Sequence, residues 1–374
     1  MRSSSIALIH FHPLELFPPV MNDINYFENS VDEKLYVYTT KPSKKFDKFK
    51  VHSTKIKIMR FGSFNLNNNI ITRYINYFLF YFQTIVHLLY RRHKTILYFE
   101  TLSSFPVYVY KIIFKAHCRV FIHYHEYTSK QEYKSGMKLN NWFHNMEKSL
   151  YPSANWVSHT NPDRMSRFIT DIKPIKPLHT YILPNYPPKD WYAGDKHLIN
   201  VPLKIVYLGA LSMETMYTEE FAKWVINQKG KVLWDIYPWN ITEEVKVFID
   251  SLNTNFINLK STVNYTSLKA ILRKYDIGII LYKGHSPNYV LNAPNKLFEY
   301  HACDLDVWFP NTIVSSLSYI TIYTYPKIIA LDFMNLNNFN YLETIERRGL
   351  EHKQNNLFCE NAVSPLREKL LDSK

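Results

Sequence analysis

At 374 residues the chain is long enough for two domains of ordinary size, and its 46% hydrophobic residues can fill sizeable cores. Only eight glycines occur, none spaced as GxG, which excludes a glycine-rich dinucleotide fingerprint; three scattered cysteines, Cys118, Cys303 and Cys359, argue against a disulfide frame or zinc site and for a reducing compartment. The net charge of +13 lies entirely in residues 1–190, with 26 Lys+Arg against 13 Asp+Glu, while residues 191–374 balance at 19 and 19. The basic half either faces an anionic partner, such as a lipid headgroup or lipid-diphosphate acceptor, or is a well-solvated surface; no nucleic-acid-binding signature accompanies it, so nucleic acid is not an expected partner.

Residues 5–11 read as the first strand, entered directly and without the apolar core and cleavage site of a signal peptide. The following loop is stiffened by prolines and carries His12 and Glu15, which either touch an acceptor or serve the loop itself. Strands are expected over 35–40 and 51–59, with a lysine-rich loop, 41–50, between them. Residues 74–90 form the most apolar run, bounded by Arg73 and by Arg91, Arg92 and Lys94. It is too short for a membrane span and carries Asn76, Gln83 and His87, so it reads as a helix packed on a sheet, or one partly touching a bilayer. A strand over 95–100, a helix through Lys115 and a strand over 119–123 lead to the loop His123-Tyr124-His125-Glu126-Tyr127. A helix over 141–150, a strand over 155–160 and a proline-dense stretch, 181–188, followed by Gly194, close the first domain, 1–190.

The second domain, 191–374, restarts with a strand over 203–208 and then Gly209-Ala210-Leu211-Ser212, where glycine lets the backbone approach a ligand. A helix is expected over 213–228, strands over 232–237 and 256–261, and a helix from Thr266 to Lys274. The apolar run 276–282 reads as a buried strand, and after a polar loop comes Ala293-Pro294-Asn295-Lys296-Leu297-Phe298-Glu299-Tyr300-His301-Ala302-Cys303. Pro294 and Asn295 can start a helix there, with Asn295 as N-cap. Lys296 and Glu299 then share its first turn. A helix start at the carboxyl end of a sheet strand favours anions, a lysine adds full charge for a phosphate, and a glutamate one turn on accepts from ribose hydroxyls. The residues suit a nucleotide diphosphate, with Lys283 as a second cation; a capped helix with a surface Lys–Glu pair is the plainer alternative. The triplet Asp304-Leu305-Asp306 lies at the far end of that helix and reads as a turn, so no metal is expected. A last helix is expected over 364–371, with the option of crossing back to the first domain.

Pro294, Asn295, Lys296, Phe298, Glu299, Tyr300 and Ala302 resemble the segment PNKxFEYxAxGxP of GT-B glycosyltransferases of the family 4 type. The family's glycine and proline are here Asp304 and Asp306, its earlier glutamate falls on Leu291, and its basic pair near the first strand of the second domain is replaced by residues 212–217. The resemblance implies an α/β fold of two Rossmann-like, doubly wound domains facing a cleft, with the acceptor on the first and the donor on the second. It implies that His125 and Glu126 serve the reaction centre and that Asn264 and Tyr265 lie on the loop that contacts the donor base. Gly209, Ser212, Tyr237 and Lys283 complete the expected donor pocket around Asn295, Lys296 and Glu299. The expected function is sugar transfer from a nucleotide-sugar substrate, without further cofactor, to a glycan or lipid-linked glycan in surface polysaccharide synthesis such as lipopolysaccharide or capsule. The expected location is cytoplasmic, with a peripheral seat on the inner face of the plasma membrane. A nucleotide-sugar epimerase of the same fold and an inactive scaffold remain the alternatives.

Overall fold

Runs such as Ile6-Ala7-Leu8-Ile9 and Ile205-Val206-Tyr207 are apolar at every position, and a strand apolar on both faces needs helices on both sides, which is the environment of a parallel sheet. The computed structural model describes residues 5–43, 47–65, 69–135, 138–192, 199–353 and 356–372. Gly194, and Lys44 and Lys45 of the lysine-rich loop, lie outside them. The chain divides into two compact units: residues up to Asn185 together with those from Cys359 onward, and Tyr186–Phe358.

The first unit holds β1 (Ser5–His10), β2 (Lys34–Lys41), β3 (Ile56–Ser63), β4 (Thr95–Phe99), β5 (Arg119–Tyr124), β6 (Ala154–His159) and β7 (Thr180–Ile182) in one parallel sheet. Its strand order is β3-β2-β1-β4-β5-β6-β7, so the winding reverses between β1 and β4. Strand β3 begins at Ile56 rather than residue 51, because Glu28 accepts the backbone N–H groups of His52 and Ser53 and holds them off the sheet. The apolar run becomes a 22-residue helix, Ile70–Arg91, opened by Asn69, whose side chain accepts from Thr72 N–H at 2.8 Å. The final helix, Cys359–Leu371, belongs to this unit: Arg367 Nε donates to Ser30 O at 2.8 Å, and Arg119 donates to the carbonyls of Lys369 and Leu370 at 3.0 and 2.6 Å.

The second unit holds β8 (Leu203–Leu208), β9 (Val232–Tyr237), β10 (Ile257–Leu259), β11 (Ile277–Ile279) and β12 (Asp306–Pro310). A short β13, Thr324–Tyr325, lies beside β15, Glu351–His352, and β14, Ile328–Leu331, completes the main parallel sheet in the order β10-β9-β8-β11-β12-β14. One core layer packs Phe221, Trp224 and Trp234 on one face, and another packs Leu297, Phe298 and Tyr300 on the opposite face. The helix expected over 213–228 begins only at Thr218. Its first residues are drawn into an extended segment instead, where Tyr217 N–H donates to Leu281 O at 2.8 Å and Lys283 N–H to Thr215 O at 3.0 Å.

Candidate functional site

In an open parallel sheet, ligands sit beyond the carboxyl ends of strands where the strand order reverses. In the second unit that point lies between β8 and β11. The chain leaves β8 through Gly209 at φ +117°, a conformation strained for any side chain. A Cβ there would stand 2.9 Å from Lys296 Cε and 3.0 Å from its Nζ, so the lysine crosses the bare backbone of this turn. Its ammonium donates to Tyr282 Oη at 2.8 Å and lies 5.1 and 5.5 Å from the ring centres of Tyr282 and Tyr207. Two electron-rich faces hold the cation at the end of β8.

The helix carrying Lys296 runs Asn295–Ala302, and Pro294 precedes it at φ −71°, ψ 148°. Asn295 is therefore the first helical residue rather than the N-cap, because Pro294 keeps extended dihedrals and takes the cap position itself. Proline offers no capping side chain, so the first-turn N–H groups and their partial positive charge lie beside the lysine. One turn on, Glu299 is buried and receives a hydrogen bond from the Tyr265 side chain. Burial pushes its carboxyl up to about 7, against the opposing pull of Lys296 and Tyr265. Tyr300 anchors the whole helix: its hydroxyl accepts from Leu208 N–H at 3.0 Å, and its ring lies over Gly278, where a Cβ would stand 2.1 Å from its Cγ.

The structure thus brings Gly209, Lys296, Glu299 and Tyr265 together and adds Tyr282, the last residue of the apolar run read as β11, whose role the sequence did not reveal. Other expected members have partners of their own. Lys283 Nζ lies 3.3 Å from Glu220 and 3.3 Å from Met213 O. Ser212 Oγ accepts from Thr215 N–H at 3.3 Å. Tyr237 hydrogen-bonds Tyr275 at 2.9 Å, which donates to Asp235 at 2.7 Å. Asn264 occupies the cap position of the helix Tyr265–Leu272. Asp304 turns at φ +68° and sits 2.6 Å from His352 Nε2, while Asp306 opens β12 and pairs with Arg347 at 3.0 Å. Among the described residues no group of three or more His, Cys, Asp or Glu side chains is placed to hold a metal.

In the first unit the reversal lies between β1 and β4, and three of the strands around it end in histidine-rich segments: His10 on β1, His123 and His125 at β5, His159 on β6. The His125 ring stacks on Phe99, with centroids 5.3 Å apart and planes at 10°. Its Nδ1 lies 2.9 Å from Asn185 Oδ1, its backbone N–H donates to Glu100 Oε1 at 2.7 Å, and its carbonyl accepts from buried Arg164. Burial lowers its pKa to about 4; the Asn185 hydrogen bond opposes that shift and Arg164 adds to it. The imidazole is therefore neutral at ordinary pH, and its buried Nε2 has no hydrogen-bond partner among the described residues. A neutral ring with one uncommitted nitrogen suits a hydroxyl-bearing ligand better than an anion.

Glu126 is exposed, and its backbone N–H also donates to Glu100 Oε1, at 3.2 Å. Glu100 departs from β4 at φ +66°, rare for a non-glycine residue, and its carboxyl is pushed up to about 8 by burial and by the Glu126 charge. Sequence reasoning missed Glu100, Arg164 and Asn185; the histidines closing neighbouring strands were the signal available. His12 is half-buried and stacks on Phe17 at 5.2 Å, with its pKa lowered to about 4 by burial. Glu15 is taken up by Arg60 at 2.7 Å and by Phe49 N–H at 2.7 Å, which ties the 47–50 loop to β3.

No family model and no curated protein matches the chain in sequence. Among solved structures it is similar to sucrose-phosphate synthase from Thermosynechococcus elongatus, with TM-score 0.65 and 11% identity over 98% of this chain and 96% of that one. It is also similar to an alpha,alpha-trehalose-phosphate synthase (UDP-forming) from Burkholderia xenovorans in complex with glucose-6-phosphate, with TM-score 0.64 and 8% identity over 98% and 100% of the two chains. A third similar structure is UDP-GlcNAc 2-epimerase from Neisseria meningitidis bound to UDP-GlcNAc, with TM-score 0.60 and 12% identity over 99% and 100%. At such identity the likeness establishes the fold alone: two Rossmann-like units of the GT-B type.

Proposed function

We propose that this protein transfers a sugar from a nucleotide-sugar donor to a glycan or lipid-linked glycan, in the manner of family 4 type glycosyltransferases of surface polysaccharide synthesis. The observation that carries the reading is Lys296, held over Gly209 by Tyr282 at the end of β8, with Glu299 one turn further along the same helix. The lysine and the helix start meet the diphosphate and stabilise it as it leaves; Glu299 takes the ribose hydroxyls. No step in this scheme calls for a metal. The first unit takes the acceptor, and His125 and Glu126 serve the reacting sugar there. The similar proteins, one bound to UDP-GlcNAc and another named as UDP-forming, support a nucleotide-sugar substrate.

The epimerase is the second reading, since the similar structures include several proteins named as such enzymes. Incubation with a panel of nucleotide sugars separates the two by product. A transferase releases nucleoside diphosphate, by transfer or slow hydrolysis, whereas an epimerase first returns an isomeric nucleotide sugar; neither product, with nucleotide still bound, would leave the scaffold reading. If His125 serves the reacting sugar, His125→Ala should lower kcat by roughly 100-fold or more while nucleotide affinity changes little. Near-normal turnover in that variant would remove the residue from the site.

A further inference from the structure

The helix Ile70–Arg91 has two faces that differ in what they meet. Phe80, Tyr81, Thr84 and Leu88 are buried, and the helix packs against β3. Ile71, Ile75, Phe78, Leu79, Phe82 and Val86 recur at spacings of three and four and stand exposed, Phe78 at 63% and Phe82 at 55%. Those spacings set them in one stripe along a helix roughly 33 Å long. Phe78 and Phe82 stack on each other at 5.6 Å, so the stripe forms a continuous apolar ridge. The helix also contacts the turn Val109–Ile113, where Ile112, Ile113 and Phe114 are exposed as well. A contiguous apolar surface of this extent marks an interaction face.

The surrounding charge identifies the occupant. The helix contains Arg73 and Arg91 and no acidic residue; Arg92 and Lys94 follow it, and Lys111 and Lys115 flank the second apolar group. We propose that this ridge seats the first unit in the interfacial zone of an anionic lipid bilayer, with the aromatic and aliphatic side chains among the acyl chains and the lysines and arginines at the headgroups. A second copy of the chain fits less well, because it would set cationic ends against a face with no carboxylate to receive them. The helix lies on the membrane rather than crossing it: no described helix is long and apolar enough to span, and its inner face is committed to the sheet. The inference stands on the first unit's own surface, and it deepens the transferase reading by supplying the plane at which a lipid-linked acceptor is met.

The test is co-sedimentation of the full chain with vesicles of phosphatidylcholine alone and of phosphatidylcholine mixed with phosphatidylglycerol, across a salt series. The parent protein should bind the anionic vesicles, less so as salt rises. Phe78→Ser combined with Phe82→Ser, both exposed and so of little consequence for folding, should weaken that binding by roughly tenfold or more. Arg92→Glu combined with Lys94→Glu should reduce the preference for anionic over neutral vesicles. A parent that ignores vesicles, or a serine pair that binds as well as the parent, overturns the proposal. So does a parent dimer in solution that the serine pair converts to monomer, which would give the ridge to a second copy. Binding of a panel of nucleoside diphosphates measured on the same samples keeps the two readings apart: intact nucleotide binding without vesicle binding defeats only the membrane proposal, and vesicle binding with no nucleoside diphosphate of the panel bound defeats only the donor site.

Discussion

Replacing Lys296 with alanine is expected to weaken nucleoside diphosphate binding roughly 10- to 150-fold, the range for loss of one charged hydrogen bond worth about 1.5–3 kcal/mol. The ammonium is fixed over Gly209 by Tyr282 before any ligand arrives, so little of its attraction is spent on ordering the side chain. The variant should also bind with less sensitivity to salt, because a full charge at the phosphate has gone. Glu299→Gln should fail differently. It keeps the shape but accepts less strongly, so ribonucleotides should weaken over the same range while 2′,3′-dideoxy analogues bind nearly as to the parent. Calorimetric titration of both variants against both ligand types measures this. Parental affinities in both would place the nucleotide elsewhere.

The pH dependence of the same titration carries a sign that burial of Glu299 determines. Its carboxyl, raised to about 7, holds its proton more tightly in the folded protein than in the unfolded chain. Its contribution to stability is therefore full below the ordinary carboxylate range and is lost as pH rises through about 7. Ligand binding runs the other way, since only the ionised carboxylate accepts from both ribose hydroxyls. Ribonucleotide affinity should rise as pH passes upward through about 7, and the dependence should flatten in Glu299→Gln. Parallel pH profiles for parent and variant would show that this carboxyl does not meet the ligand.

Gly278→Ala is expected to lower the melting temperature of the second unit by roughly 5–15 °C, a loss of about 2–4 kcal/mol. The added Cβ would stand 2.1 Å from Tyr300 Cγ, far inside van der Waals contact with a fully buried ring. If the ring shifts, the hydrogen bond from Leu208 N–H to the Tyr300 hydroxyl is lost, and the helix bearing Lys296 and Glu299 moves with it. Thermal unfolding followed by circular dichroism should show the drop, and nucleotide affinity should fall in the same variant. An unchanged melting temperature would mean that the helix does not pack on β11 as described.

Much of this architecture was legible in the chain. The strands of a doubly wound sheet are buried on both faces, so they appear as short runs apolar at every position, and β8 and β9 fall on the residues expected, Leu203–Leu208 and Val232–Tyr237. The helix Asn295–Ala302, proposed above to hold the donor, was legible as a helix, and the closeness of Lys296 and Glu299 one turn apart on it needs only helical geometry. What the sequence left open depends on partners distant along the chain. Residues 213–217 look helical locally, yet they pair with residues 281–283 because backbone groups near a buried strand end must be satisfied. Asn295 looks like a cap, but Pro294 keeps the extended dihedrals. Lys283 and Glu15 resemble free binding groups until packing sets Glu220 and Arg60 beside them. Glu100, Arg164 and Asn185 meet around His125 only because three crossovers return the chain to one end of a sheet. Local spacing determined most of the strands and helices; tertiary packing decided where the helix expected over residues 213–228 begins and which charges are already paired within the protein, because a neighbour distant along the chain can neutralise a side chain without leaving any local mark.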